Sequence, residues 1–462
     1  MSSVTTKPGN AMQKDTAPLT WKFPRPFWVA NIIELFERAA YYGMFITLTL
    51  YLTNEIGFTD VGAGWVVAVF AGFIYLAPTF TGSLADKLGF RNALILAFAL
   101  LTGGYALLGA FQYKLTAVLS LLLIMLGGSF VKPIITGTVA KASDAANRAR
   151  AFSIFYQIVN IGAFIGKTAA KPLRTELGLK YINFYSAVMA LGALLLVIIL
   201  YRNLDTKGMG KTLRESWRGL LTVLKNTRFM ALILIVAGFW TIQGQLYATM
   251  PKYALRMIGE HAAPEWLANI NPLVVVLFVV GITHLTRNIR PVSSIAISLF
   301  IIPLSALSIA LSPVLESYTG QSVSFGWFSL HPITVMLIIG IALQGLAECF
   351  LSPRFLEYAS KQAPPEEVGL YMGYSHLHTF FAWLIGFAVS GYLLEAFCPD
   401  PAKMSPAIQE QRLQALAGQA PMPDAWAHAH YIWYVFAGIG LAALICLLLY
   451  RRVTDRLDAE KK

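Results

Sequence analysis

The sequence predicts an all-α polytopic membrane protein of about twelve transmembrane helices in two six-helix bundles, and three observations carry that expectation. Hydrophobic residues make up 56% of the 462 residues and charged residues only 13%; the mean hydropathy is +0.60, far to the apolar side of a soluble domain. Apolar runs of about 20 residues, the length that crosses a bilayer, recur along the chain. The most basic connector falls midway among them.

The first six runs lie near residues 27–53, 62–85, 91–112, 115–141, 148–172 and 181–201. The second six lie near 228–256, 268–286, 291–314, 332–360, 368–396 and 429–450. Between them, the linker 202–227 holds Arg202, Lys207, Lys211, Arg214, Arg218 and Lys225 against Asp205 and Glu215. The positive-inside rule places this linker in the cytoplasm, with an N-terminal segment 1–26 (Lys7, Lys14, Lys22, Arg25) and a tail 451–462 (Arg451, Arg452, Arg456, Lys461, Lys462). The bundles then occupy 27–201 and 228–450. Both ends on one side require an even number of spans, which twelve satisfies.

The net charge of +12 is accounted for by cytoplasmic loops beside anionic lipid, so the expected partner is the bilayer and not a nucleic acid. The expected setting is the plasma membrane, the inner membrane in a bacterium, with the chain a monomer. The polar first 26 residues lead into no short apolar segment with a small-residue cleavage site, so no cleaved signal peptide is expected. Residues 397–428, with Pro399, Pro401, Pro406, Pro421 and Pro423, form the longest outer loop, with a short helix over 407–417. Cys349 and Cys446 fall in predicted helices and Cys398 in that loop, which supports no disulfide. Metal-ligand spacing is absent: His376 and His378, at i and i+2, are expected on different sides of a helix.

The chemistry lies in charges at membrane depth. In the first run, Glu34, Glu37, Arg38, Tyr41 and Tyr42 fall at i, i+3, i+4, i+7 and i+8 and share one face. Such charges are costly unless they meet a cavity or a partner, so they mark a functional site. A structural ion pair needs one acid and one base, and this face carries a surplus acid. In the fourth run, Lys132 needs a counter-ion or an anionic ligand, while the adjacent Pro133 leaves the carbonyl four residues earlier without its donor. In the tenth, Glu348 has no cation at helical spacing at its own depth; Arg354 and Glu357, two turns on, form a local i, i+3 pair.

Tyr156 and Asn160 in the fifth run, and Trp240, Gln243 and Tyr247 in the seventh, read either as pocket walls or as interhelical glue and lipid-facing stripes. At the outer end of the fifth run, Lys167 and Lys171 share a face, with Arg174 and Lys180 following and Glu176 the one acid. The pair is expected to snorkel to the headgroups.

Two resemblances follow from these residues. Gly82-Ser83-Leu84-Ala85-Asp86-Lys87-Leu88-Gly89-Phe90-Arg91 resembles the signature between the second and third helices of the major facilitator superfamily. It implies the major facilitator fold, with Asp86 and Arg91 as inner-loop gating charges. Glu34 to Gly43 resembles the first-helix signature of the proton-dependent oligopeptide transporter (POT/PTR) family, Glu-x-x-Glu-Arg followed by Tyr-Tyr-Gly. Lys132-Pro133, Phe152 to Phe164, and Glu348 with Ser352-Pro353 ahead of Lys361 and Pro364 are similar to that family's fourth-, fifth- and tenth-helix segments in the same order.

The resemblance implies a secondary active transporter and not an enzyme: a symporter of di- and tripeptides, with the proton as coupling ion, no other cofactor and no metal. Arg38 and Lys132 would hold the substrate carboxylate and Glu348 would face its amine. Glu34, Glu37, Arg38 and Glu348 would couple the proton, and Tyr41, Tyr42, Tyr156, Asn160, Trp240 and Gln243 would complete the binding site. One departure stands out: where the family usually shows Phe-Trp-x-x-x-Glu-Gln, Phe239-Trp240 here leads to Gly244-Gln245. A site without that acid is more positive and admits a second reading, a proton-coupled carrier of a non-peptide anion, a carboxylate metabolite or natural product, for import or export. A transport-inactive receptor is a third reading, and no long soluble extension favours it.

Overall fold

The computed structural model describes residues 22–144, 147–202, 212–362 and 368–460. Its first half comprises α1 (Arg25–Asn54), α2 (Asp60–Leu76), α3 (Pro78–Leu88), α4 (Phe90–Ala110), α5 (Lys114–Lys141), α6 (Arg148–Pro172) and α7 (Leu179–Leu200). After α8 (Leu213–Lys225) come α9 (Thr227–Gln243), α10 (Gln245–Ala248), α11 (Met250–Ile258), α12 (Pro264–Leu267), α13 (Ile270–Leu285), α14 (Pro291–Ala310) and α15 (Ser312–Thr319). A two-stranded hairpin, β1 (Val323–Ser324) and β2 (Ser329–Leu330), precedes α16 (Pro332–Gln362). The chain closes with α17 (Val368–Tyr374), α18 (Leu377–Phe397), α19 (Pro406–Leu416), α20 (Asp424–Ala427) and α21 (Tyr431–Glu460). Helix α19 occupies the place expected of a short helix in the long loop.

Among the described residues nine helices are long and apolar enough to cross a membrane, or ten when α2 and α3, bent by 52° at their junction, count as one span. Pro78 explains the bend, since it offers no N–H to the turn before it. Helices α1 and α6 are 30 and 25 residues long, and even the shorter one extends about 37 Å, enough for a bilayer core. They fail as apolar spans because of their charges, and those charges turn inward: Glu34 and Glu37 are 2% exposed and Lys167 1%. With these two helices the described residues hold the expected twelve spans.

Successive spans alternate between a terminal end, where α1 starts and α21 stops, and a far end. Small residues let helices approach to backbone distance. A Cβ on Gly166 of α6 would lie 2.3 Å from the Ala39 carbonyl of α1, and one on Gly162 2.7 Å from that of Leu35. Across the two halves, a Cβ on Gly391 of α18 would lie 2.6 Å from the Asp60 carbonyl of α2. The described part of the basic connector from Thr212 on is a helix, α8, which Thr212 and Glu215 cap reciprocally. Ser216, Gly219, Leu220 and Val223 are buried while Arg214, Arg218 and Lys225 face outward. Lys7, Lys14, Asp205, Lys207, Lys211, Pro364, Lys461 and Lys462 lie outside the described residues.

Candidate functional site

One turn of α1 builds the charge centre. Arg38 Nε pairs with Glu34 at 3.2 Å and with Glu37 one residue away. The guanidinium carbon lies 5.5 Å from the Tyr41 ring centroid and 6.0 Å from that of Tyr42, within cation–π range. The close approach at Gly162 reaches the Arg38 Cβ itself, so α6 holds this turn in place. Lys132, on α5, opens into a cavity with its ammonium 5.9 Å from the Tyr75 ring, and it makes no ion pair among the described residues. Glu348, on α16, accepts from Gln243 Nε2 at 3.1 Å and from Asn271 Nδ2 at 3.5 Å. Two amides, and no cation among the described residues, hold it.

Two adjoining cavities share Arg38, Tyr75, Lys132 and His376. One, of about 450 Å³, runs past Tyr41 to Thr136, Ser216 of α8 and Met372 toward the terminal end. The other, of about 370 Å³, brings together Glu34, Tyr42, Tyr156, Asn160, Trp240, Gln243 and Glu348 from four helices of both halves. Of the residues singled out from the sequence, Glu37 lines neither cavity and sits behind Arg38. Asp86 and Arg91 lie apart at the terminal end, Asp86 exposed and Arg91 donating to the Ile198 carbonyl at 2.8 Å. Gly244 lines neither cavity: a Cβ there would meet the Trp240 carbonyl at 3.2 Å and Trp383 Nε1 at 3.5 Å. Gln243 is the seventh-span residue that reaches Glu348.

Two expectations are corrected. His376 and His378 do not face opposite sides of a helix. The eleventh span breaks between α17 and α18, so both rings line the cavity, 6.0 Å apart, with His378 stacked on Trp240 at 5.6 Å. No proline announces this break. They belong to no cluster able to hold a metal among the described residues.

Nor do Lys167 and Lys171 snorkel. Lys167 Nζ donates to the Ala268 carbonyl at 3.0 Å and Lys171 Nζ to that of Ala262 at 3.2 Å. Arg174 pairs with Glu265 at 2.5 Å and Glu260 at 2.7 Å. The segment around α12 folds across the far end and supplies acceptors that the sequence of α6 does not reveal. Lys167, Tyr75, Asn271 and Trp383 line the second cavity without having stood out as site residues, because their neighbours come from other spans.

Further ion pairs seal the far end. Asp60 of α2 pairs with Lys252 at 2.6 Å and Arg256 at 2.9 Å, both on α11. Below them Phe45 of α1 stacks on Trp383 of α18, centroids 5.3 Å apart and planes 10° from parallel, with Tyr247 5.0 Å away. The Cys349, Cys398 and Cys446 thiols are free. The cavity is therefore closed toward the far end, with cations on its first-half wall and an amide-held carboxylate on its second-half wall. Charges as buried as Glu34 and Glu37, each 2% exposed, interact far more strongly than in water.

The sequence profile of the Major Facilitator Superfamily matches residues 30–326 and 317–462. The curated Dipeptide and tripeptide permease B of Yersinia enterocolitica is 25% identical over 259 residues, which span 54% of this chain and half (50%) of the relative. The protein of the same name from Shigella dysenteriae is 23% identical over 434 residues, covering 79% of this chain and 86% of the relative. Multidrug resistance protein MdtH of Cronobacter sakazakii is 25% identical over 372 residues, covering 77% and 83%. The in meso crystal structure of the POT family transporter PepTSo matches with a TM-score of 0.72 at 19% identity, over 94% of this chain and 99% of that one.

Proposed function

Because the chain belongs to the Major Facilitator Superfamily and is a membrane transporter with that fold, we propose that it is a proton-coupled symporter of di- and tripeptides of the POT family, working as a monomer. One observation carries the reading: Arg38 and Lys132 stand on one wall of a closed-ended cavity and Glu348 on the other. That arrangement complements a zwitterion, carboxylate toward the cations and amine toward Glu348. The likeness to dipeptide and tripeptide permeases supports it.

Proton coupling follows from the Arg38 pairs. With Glu34 and Glu37 both charged, Arg38 is satisfied and has little left for a substrate carboxylate. A proton taken up by Glu34 frees one face of the guanidinium, so proton and peptide favour each other's binding. Two bundles rocking around this midplane site would then expose it alternately, with the far end outside and the termini and α8 in the cytoplasm of a plasma membrane. Asp86 and Arg91 would act at the inner loop, remote from the substrate.

The test is uptake into proteoliposomes with a pH gradient, acid outside. Each pH unit supplies about 1.4 kcal/mol per proton, a tenfold limit on accumulation. A protonophore should abolish concentration and leave equilibration, and undiminished accumulation would sink the symport reading. The second reading, a carrier of non-peptide anions, rests on Lys132 lacking any ion pair among the described residues and on the similarity to MdtH. Counterflow with mixed dipeptides against free dicarboxylates separates the two.

A further inference from the structure

Lys167 is a third cation of the substrate cavity, and it differs from the other basic residues at the far end of α6. Lys171 and Arg174 reach loop carbonyls and carboxylates outside the cavity, whereas Lys167 lines it. Its side chain is 1% exposed, it donates to the Ala268 carbonyl at 3.0 Å, and its ammonium lies 5.7 Å from the Tyr42 ring centroid. It has no carboxylate partner among the described residues. The one protein hydrogen bond uses one of three N–H donors.

The charges lining the cavity do not balance. Arg38 is matched, in fact over-matched, by Glu34 and Glu37 while both are ionised. When a proton neutralises one of them, as the symport reading requires, Arg38 is balanced by the other. Lys132 and Lys167 then remain as two uncompensated cations facing one carboxylate, Glu348. A neutral dipeptide brings one carboxylate and one ammonium and leaves the cavity with a surplus positive charge. A peptide with one acidic side chain brings two carboxylates and one ammonium and closes the sum to zero. Lys167 is 1% exposed, and an unmatched buried charge is costly, so the difference is felt as affinity.

The geometry agrees. Tyr156, Asn160, Ala163 and Lys167 fall at i, i+4, i+7 and i+11 and present one face of α6 to the cavity. Both Lys167 and Arg38 lie about 6 Å from the Tyr42 ring centroid. An extended dipeptide measures roughly 7 Å, so with its backbone charges on Lys132 and Glu348 a side chain directed along α6 reaches toward Lys167.

We propose that Lys167 is a specificity-determining residue that binds the carboxylate of an acidic side chain, so that this transporter favours di- and tripeptides containing Asp or Glu. The proposal rests on the peptide-symporter reading. Its test is competition by unlabelled Ala-Glu and its neutral isostere Ala-Gln against labelled Ala-Ala uptake in proteoliposomes of the full-length protein. Wild type should prefer Ala-Glu about tenfold, the scale of one charge pair in a desolvated site. Lys167→Gln keeps a donor for the Ala268 carbonyl but no charge. It should reduce the preference to less than about twofold, chiefly by weakening Ala-Glu, and Lys167→Arg, which keeps the positive charge, should keep most of it.

Equal competition by the two peptides in wild type overturns the proposal, even if Lys167→Gln does not fold. So does a preference that survives Lys167→Gln, or an equal loss for both peptides, which would make Lys167 a purely structural tie to α12. If no dipeptide competes at all, the peptide reading itself fails and this one with it, a result distinct from transport without acidic preference.

Discussion

The Thr81 hydroxyl donates to the Ser129 carbonyl at 2.8 Å, the very acceptor that Pro133 leaves without its helical partner. Thr81 lies on α3, beyond the bend of the second span, and Ser129 lies one turn before Lys132. The bond thus ties the bent half of one span to the turn that aims a cavity cation, and it removes the polar cost of the proline.

Thr81→Val keeps the shape of the side chain and removes the donor. An orphaned buried carbonyl costs about 1–3 kcal/mol, so thermal stability in detergent should fall measurably and Thr81→Ser should restore it. An unchanged unfolding temperature in the valine variant would mean that water takes the place of the hydroxyl.

Gly166→Ala should be far more damaging than its size suggests. The added Cβ would meet the Ala39 carbonyl at 2.3 Å and the Gly43 nitrogen at 2.8 Å, so α1 must move away from α6 and carry Arg38 with it. Gly103→Ala, where a Cβ meets nothing within 4 Å, is the control and should be neutral or slightly stabilising, since alanine is the better helix former. Parallel melting curves and dipeptide uptake for the two variants decide the matter, and equal behaviour would contradict the close packing.

Asp60→Ala leaves Lys252 and Arg256 buried without their shared carboxylate. Breaking a buried pair from one side costs about 3–5 kcal/mol, and that cost falls on the conformation closed at the far end. The population should shift toward far-end opening. Spin labels placed across α2 and α11 should report a longer distance in the variant, and an unchanged distance distribution would show that the α2–α18 backbone contact suffices for closure.

Cys398 offers a reporter of the same event. It follows α18, is fully buried, and lends its carbonyl to Arg256 at 2.6 Å. Burial pushes its thiol up to about 12, against an ordinary value of about 8.5. A raised thiol stays protonated until the pH passes the raised value, so moving from pH 7 to pH 9, which ionises an ordinary cysteine, should barely speed maleimide labelling of Cys398 in a Cys446→Ser background. The Asp60→Ala variant should label quickly and regain the ordinary pH dependence. Mass spectrometry of the Cys398 peptide gives both rates, and fast labelling of wild type would mean that the far end opens freely.

The charged turn of α1, Lys132 and Glu348 were legible as site candidates because a charge in an apolar run is costly wherever the run ends up. The Arg354–Glu357 pair, 2.7 Å in the structure, was equally legible, since its partners are one helical turn apart. His376 was not, because periodicity assumes an unbroken helix and the break at that point carries no proline.

The sequence by itself determined the all-α class, the apolar spans, the inward-facing charges of α1 and the residue types of the cavity walls. These follow from local hydropathy, helical period and the cost of charge in lipid. Tertiary structure alone decided what each charge does. Arg174 meets Glu265 from 91 residues away and Asp60 meets Lys252 from 192, while Lys167 finds a carbonyl and a cavity instead of the headgroups. The reason is physical: whether a buried cation is a tie, a lock or a ligand site depends on which acceptors the opposite half brings within about 3 Å, and spacing along one helix carries no information about that.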